Sequence, residues 1–170
     1  MENRIDPAQE QRVWSRVMAA QSAARNPQPT ACARLAQKDA PAFDADAVTA
    51  LHTAQRRAAA VLRALAARTR GCTRQTLLQL AEEKCRETKR LAAVYFLMQG
   101  TCLCPEAIRA PCVRSVCQTL KNACQEEHCA AALYRRYAAR SEDYAPLLTQ
   151  MAERSEQSLR RLFCLLSQNL

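Results

Sequence analysis

Glycine and β-like alternation are nearly absent from this sequence. Its 170 residues include only two glycines, and no stretch alternates apolar and polar residues with the period of two that is typical of β-strands. The two glycines, Gly71 and Gly100, each follow a run of helical periodicity. Glycine is the preferred residue for the left-handed conformation that ends a helix. These features exclude a β-rich architecture and predict an all-α fold in which both glycines mark helix ends.

Long apolar runs are also missing. No run approaches the roughly 18 residues that suggest a membrane-spanning helix, and residues 1–12 are largely polar, unlike a secretory signal peptide. We therefore expect a cytoplasmic protein without a membrane partner. The ten cysteines are then expected to be mainly reduced, because disulfides persist chiefly in oxidising compartments.

The chain is basic, with a formal net charge of +9. Such a charge raises nucleic acid as a partner. However, the arginines are spread over the outward positions of all the predicted helices, without interleaved aromatic residues or a recognised nucleic-acid-binding motif. We expect a solvated basic surface with weak polyanion binding and no specific nucleic-acid partner.

Four segments carry an apolar stripe at alternating three- and four-residue steps, the pattern of amphipathic helices. The predicted helices span residues 46–69, 73–98, 110–140 and 142–168. The start signals are Asp46, Thr73 and Ser141. These helices predict a bundle over residues 46–170, with the connection between the second and third helices crossing over it.

The N-terminal part has a different character. Val13, Trp14, Val17 and Met18 form a short amphipathic face, which predicts a docking helix within residues 1–20. Residues 21–45 contain three prolines among alanines and polar residues. That composition predicts an irregular linker ahead of the bundle.

Each of the four stripes is interrupted by polar residues at about the same depth. We call this set the polar layer, and its members are Gln55, Lys84, Glu87, Glu127, Ser155 and Ser158. The order of one polar residue followed by a pair three positions apart on the next helix occurs twice, which indicates an internal duplication. Burying a polar group without a partner costs on the order of 1–3 kcal/mol. Six such residues at one level therefore indicate a site.

Residues 46–168 resemble a rubrerythrin-related member of the ferritin-like superfamily. The resemblance lies in LLQLAEE at 77–83, KRL at 89–91 and YFLMQG at 95–100, in Glu127 seven residues before Tyr134, and in MAE at 151–153 leading to Leu162. It implies a four-helix bundle with a crossover between helices two and three. It also implies a di-iron centre, held by a Glu from each of two helices and a Glu-x-x-His pair from each of the other two.

The ligand set of that family is not preserved. Gln55 stands in place of a Glu, while Lys84-x-x-Glu87 and Ser155-x-x-Ser158 stand in place of the two Glu-x-x-His pairs. Only Glu127 keeps the family identity. We therefore expect no cofactor. Instead, the ammonium of Lys84 is predicted to lie between the two carboxylates, with the amide and the two hydroxyls of the layer completing the hydrogen bonds.

The two histidines do not supply the missing metal ligands. Neither His52 nor His128 stands three residues after a carboxylate of a stripe. We therefore expect both to lie on helix flanks and not to bind metal.

These residues favour a non-enzymatic protein that has lost its di-iron site and acts through its surface or by association. One alternative is an oxidoreductase that handles peroxide or oxygen, with iron or manganese held by an altered set that includes Glu87 and Glu127. Another is a cysteine-based metal or redox module at Cys102, Cys104 and Cys112, although no C-x-x-C pair typical of zinc ribbons and rubredoxin modules occurs. Related bundles pair through helix faces, so a homodimer is the candidate self-association.

Overall fold

The computed structural model describes residues 42–109 and 111–168. Within these ranges the chain is all-helical, with four helices and no strand. The helices are α1 (Ala45–Ala67), α2 (Gly71–Gln99), α3 (Val116–Ala138) and α4 (Ala145–Gln168). The predicted docking helix at 1–20 and residues 21–41 of the predicted linker lie outside the described residues.

Local capping sets the first residues of α1 and α3. The Asp44 side chain accepts a hydrogen bond from the backbone N–H of Ala47 at 2.9 Å, so α1 begins just before the predicted Asp46 start. Ser115 caps α3 in the same way, accepting from the N–H of Gln118 at 3.3 Å. The predicted start of this helix at 110 was therefore wrong, because Ser115 is extended and residues 111–115 are not helical.

Both glycines adopt the predicted left-handed conformation. Gly100 has a φ of 68° and closes α2 by donating its backbone N–H to the carbonyl of Phe96 at 2.8 Å. Gly71 has a φ of 59°, but it does not end α1 as predicted, because α1 ends at Ala67 with Arg68 as its cap. Gly71 is instead the first residue of α2, which begins ahead of the predicted Thr73. α4 begins after a turn at 142–144 and not at the predicted Ser141.

The helix pairing is that of a bundle. α1 lies mainly against α2 and α3 mainly against α4, while α1 also approaches α3 and α2 approaches α4. None of the described helices has the combination of length and apolarity that crossing a lipid bilayer requires.

The core consists of two apolar clusters. The α1-start cluster includes Leu51, Leu91, Tyr134 and Leu148, one from each helix. The α1-end cluster includes Leu62, Leu80, Leu120 and Leu162, again one from each helix. In every helix the residues of the polar layer fall between members of the two clusters, so the layer crosses the middle of the core.

Candidate functional site

All six residues of the polar layer are buried. None is more than 4% exposed, and Lys84 and Ser155 are fully buried. A shift of one residue in any of the predicted stripes would have turned some of these side chains to solvent. The predicted register of the four stripes is therefore confirmed at this level.

Lys84 holds the layer together by bonding to two carboxylates. Its Nζ donates to Oε2 of Glu127 at 2.7 Å and to Oε2 of Glu87 at 3.3 Å. This is the predicted position of the ammonium between the two acids. Lys84 and Glu87 lie on α2 and Glu127 lies on α3, and these helices are not a principal packed pair within the described part of the chain. The long lysine side chain therefore links two helices across the interior of the bundle.

The electrostatics of this cluster are those of a desolvated ion pair. Burial alone lowers the pKa of Lys84, but the charges of Glu127 and Glu87 and their hydrogen bonds outweigh it and raise the pKa above its usual value. Burial also raises the pKa of Glu87, and the negative charge of Glu127 adds to that effect, while Lys84 opposes it. The lysine is therefore held as a cation, and Glu87 is the acid that gains a proton more readily than in water.

The remaining hydrogen bonds of the layer differ from the prediction. The Nε2 atom of Gln55 donates to the hydroxyl of Tyr134 at 2.7 Å and not to the lysine cluster. Over the described residues, Oε1 of Gln55 and Oγ of Ser155 have no hydrogen-bond partner. The expectation that this amide and hydroxyl complete the hydrogen bonds of the lysine cluster was therefore wrong, because Gln55 bonds to Tyr134 instead and the hydroxyl of Ser155 bonds to neither.

The positions of two buried residues were not predicted correctly from the sequence. Tyr134 was not predicted as part of the polar layer, but it is fully buried and its hydroxyl accepts a hydrogen bond from Gln55. His52 was expected on a helix flank, yet it is only 4% exposed. Burial, together with the charge of Arg56, lowers the pKa of His52. Two features of the sequence could have indicated these buried positions. A buried tyrosine hydroxyl needs a hydrogen-bond partner, and His52 lies three residues before Gln55 and so on the same helical face.

A di-metal centre does not fit these residues. Both carboxylates of the layer bond to Lys84. A metal cation bound to the same carboxylates would lie close to the ammonium and be repelled by its positive charge. In the described ranges, no three His, Cys, Asp or Glu side chains are arranged to hold a metal ion. The cysteine-based alternative at Cys102, Cys104 and Cys112 therefore has no three-ligand group among the described residues. These three cysteines are exposed, and the nine cysteines of the described segments are free thiols.

A cavity of about 480 Å³ opens beside the polar layer. It lies between α1, α3 and residues 103–106 of the connecting segment, and Gln55 and Glu127 are part of its lining. A second cavity of about 460 Å³ follows along the same segment, and the two cavities share Thr53, Arg57, Glu106 and Glu126 in their walls. The α2 residues of the polar layer are therefore shielded from solvent, whereas its residues on α1 and α3 border a cavity.

Comparison of this chain with protein families, curated proteins and solved structures finds no match.

Proposed function

We propose that this chain is a ferritin-like, rubrerythrin-related bundle that has exchanged a di-iron centre for a lysine and carboxylate cluster, and that it acts as a non-enzymatic binding or structural protein. The observation that carries this proposal is the position of Lys84. Its fully buried ammonium lies 2.7 Å from Glu127 and 3.3 Å from Glu87. The family pattern has metal ligands at all three of these positions.

The two core clusters support a ferritin-like crossover. Leu91 and Tyr134, late in α2 and α3, share the α1-start cluster, whereas Leu80 and Leu120, early in the same helices, share the α1-end cluster. α2 and α3 therefore run in the same direction, and the segment between them has to return along the bundle. The 23 residues of α3 span about 35 Å. Residues 100–115 can extend over about 50 Å, which is enough for that path.

The charge balance supports the loss of metal chemistry. An oxidoreductase of the rubrerythrin kind would require iron or manganese at this level. A buried ammonium bonded to both available carboxylates disfavours further positive charge there. The lysine supplies within the chain the positive charge that metal ions would otherwise bring to a buried carboxylate pair.

Metal content tests the proposal directly. Protein purified without oxygen and then exposed to iron(II) or manganese(II) is expected to retain neither ion after desalting. About two ions per chain, lost in Glu127→Ala, would overturn the proposal in favour of the oxidoreductase. Zinc that survives Glu127→Ala and leaves on alkylation of cysteine would favour the thiol module.

Restoring the family ligands gives the complementary test. Five substitutions, Gln55→Glu, Lys84→Glu, Glu87→His, Ser155→Glu and Ser158→His, together with the native Glu127 would rebuild the full set. This variant is expected to bind about two manganese or cobalt ions per chain, and cobalt absorption would report the coordination. The same variant carrying Glu127→Gln as well is the matched control and should bind less. A restored variant that is helical by circular dichroism and binds no metal would contradict the assignment of these positions.

The partner and location predictions remain part of this proposal. Phe96 is 50% exposed and Leu97 is 74% exposed on α2, and such apolar exposure supports self-association into a homodimer. Sedimentation of the wild type and of Leu97→Glu would test it. The basic composition supports weak polyanion binding, and a cytoplasmic location remains the expectation.

A further inference from the structure

The charges of this chain are distributed unevenly between the two ends of the bundle. The α1-end cluster draws its residues from three segments, 61–81, 113–124 and 159–166. Together these segments contain eight basic residues and no aspartate or glutamate. The basic residues are Arg63, Arg68, Arg70, Arg74, Arg114, Lys121, Arg160 and Arg161. We call the surface that they form the basic end.

The opposite end of the bundle has no such excess of positive charge. The α1-start cluster draws its residues from segments 43–51, 91–98, 130–138 and 144–152. Those segments contain two aspartates and two arginines, which are Asp44, Asp46, Arg135 and Arg136. Basic residues therefore occur at both ends, and the basic end differs because its segments contain no acidic residue.

The side chains of the basic end are accessible, and most of them lack a counter-charge. Six of the eight are exposed, while Lys121 and Arg161 are partly buried. Arg161 forms an ion pair with Glu83 at 2.7 Å. The other seven have no carboxylate partner among the residues that the structure describes. The basic end therefore presents positive charge to the solvent that the described part of the protein does not neutralise.

A contact between α1 and the start of α3 brings four of these arginines to one end of the bundle. Arg68 donates to the carbonyl of Val113 at 3.2 Å, the residue before Arg114 in the chain. Arg70 immediately precedes α2, and Arg74 lies in its first turn. We call Arg68, Arg70, Arg74 and Arg114 the tip arginines. The planar guanidinium group matches the geometry of a phosphate, to which it donates two parallel hydrogen bonds.

The surroundings of the basic end fit a hydrated polyanion better than a membrane or a single strand. Membrane-surface binding combines positive charge with apolar side chains that enter the lipid. In the described ranges, the two most exposed large apolar side chains are Phe96 and Leu97, late in α2 at the opposite end. Single-stranded bases stack on exposed aromatic rings, but the one aromatic residue of the three segments, Phe163, is only 8% exposed.

We propose that the basic end binds the phosphate backbone of double-stranded nucleic acid, independently of base sequence. A duplex presents about one negative charge per 1.7 Å of its axis, and basic side chains that neutralise phosphates release condensed counterions. The tip arginines donate to phosphate oxygens, a type of contact that carries no sequence information. This proposal deepens the weak polyanion binding of the proposed function and does not rest on the loss of a metal site.

The dependence of binding on salt is the first test. The full-length protein, titrated into a fluorescent DNA duplex of about 20 base pairs, is expected to bind with a Kd of about 10⁻⁴–10⁻⁶ M near physiological salt. If each tip arginine neutralises one phosphate, the affinity should fall by about 10²-fold between 50 and 200 mM salt. Binding that is undetectable at the lower salt concentration, or that does not change with salt, would overturn the proposal.

Unlabelled competitors identify the class of partner. At equal concentration of negative charge, a single strand of the same length and vesicles that contain phosphatidylserine are each expected to displace the duplex at least about threefold less effectively than unlabelled duplex does. A random-sequence duplex should compete as well as the original one. Stronger displacement by the vesicles would assign the basic end to a membrane surface, and stronger displacement by the single strand would contradict recognition of a duplex.

Two double variants of equal net charge locate the surface. Arg70→Gln with Arg74→Gln removes two tip arginines, and Arg86→Gln with Lys89→Gln removes two charges from exposed positions of α2 outside the basic end. The first variant is expected to weaken duplex binding by about tenfold or more and to reduce the slope of log affinity against log salt by about 2. The second should bind within about twofold of the wild type.

Equal losses in the two variants would show that binding follows net charge alone and would overturn the proposal. All four substituted side chains are exposed, so both variants are expected to keep the helical circular dichroism of the wild type. Metal retention, which tests the proposed function, is measured separately, so either proposal can fail without the other.

Discussion

Where α2 faces α3 across the core, the polar layer is charged and its three side chains bond to one another, whereas on α1 and α4 it is uncharged and partly without hydrogen bonds. Lys84 pairs with Glu87 and Glu127 at hydrogen-bond distance. On the other two helices, Oε1 of Gln55 and Oγ of Ser155 lack partners within the described residues. At this depth of the bundle, the diagonal pair α2 and α3 thus contains a bonded cluster of charges, and we call this pair the charged diagonal. The diagonal pair α1 and α4, the neutral diagonal, contains unsatisfied polar atoms.

The difference between these two pairs of helices follows from one physical constraint. The layer has the order of one residue followed by a pair in both halves, so Gln55 corresponds to Glu127 and Lys84 to Ser155. A buried charge is tolerated only beside its counter-charge, so the cation on α2 requires carboxylates within reach. Uncharged residues cost less when unpaired, so the positions on α1 and α4 were free to remain incompletely bonded.

The largest expected effect comes from removing the cation of the charged diagonal. Lys84→Met keeps most of the side-chain volume but leaves Glu87 and Glu127 buried without a counter-charge. Breaking a buried pair in this way is expected to lower the free energy of unfolding by about 3–5 kcal/mol, measured by urea unfolding near neutral pH.

Two controls sharpen that experiment. Lys89→Met makes the same change at an exposed position of α2 and is expected to alter stability by less than about 0.5 kcal/mol. The triple variant Lys84→Met, Glu87→Gln, Glu127→Gln removes all three charges and is expected to recover much of the loss, since replacing a whole buried ion pair is often close to neutral. A loss below about 1 kcal/mol in the single variant would mean that the cluster does not organise the core.

The sequence was sufficient to place the charged diagonal but not the neutral one. Lys84 could be paired from the stripes alone, because the layer contains one cation and two carboxylates and burial forces them together. The partner of Gln55 could not, because an amide can bond to any nearby hydroxyl, and its choice of Tyr134 depends on how α1 and α3 are rotated against each other. His52 was misplaced for a related reason, since it lies at the margin of the α1 stripe.

The same distinction applies to the fold. The spacing of apolar residues predicts the helices, whereas individual hydrogen bonds decide where a helix begins. Helical periodicity predicted four helices, and the two glycines at 71 and 100 have the expected positive φ angles. The start of α3 was wrong because the cap at Ser115 is a local hydrogen bond that periodicity does not report. The cavity depends on where the connecting segment lies, and the bond from Arg56 to Glu106 that fixes it joins residues 50 positions apart.

A change of pH is expected to have an intermediate effect on stability. The contributions of Glu87 on α2 and His52 on α1 should change with pH in opposite directions. Burial raises the pKa of Glu87 above 4.5, so its contribution to stability is present below 4.5 and is lost as pH rises through the raised value. Burial lowers the pKa of His52 below 6.5, so its contribution is present above 6.5 and is lost as pH falls through the lowered value.

Unfolding of three variants between about pH 4 and 8 tests these signs. Relative to the wild type, Glu87→Gln should gain stability as pH rises, and His52→Gln should gain stability as pH falls. Glu153→Gln, at an exposed position of α4, should follow the wild type throughout. Parallel profiles for all three variants would show that neither group changes its protonation preference on folding.

The smallest effect is expected on the neutral diagonal, at Ser155. Its hydroxyl is fully buried and, within the described part of the chain, has no hydrogen-bond partner. Removing an unsatisfied hydroxyl avoids its desolvation cost, so Ser155→Ala is expected to leave stability unchanged or raise it by up to about 1 kcal/mol. Ser167→Ala, at an exposed position of the same helix, is the matched control in urea unfolding. A loss of more than about 1 kcal/mol in Ser155→Ala would mean that this hydroxyl is bonded in solution. The contrast between the two diagonals would then be one of charge and not of hydrogen bonding.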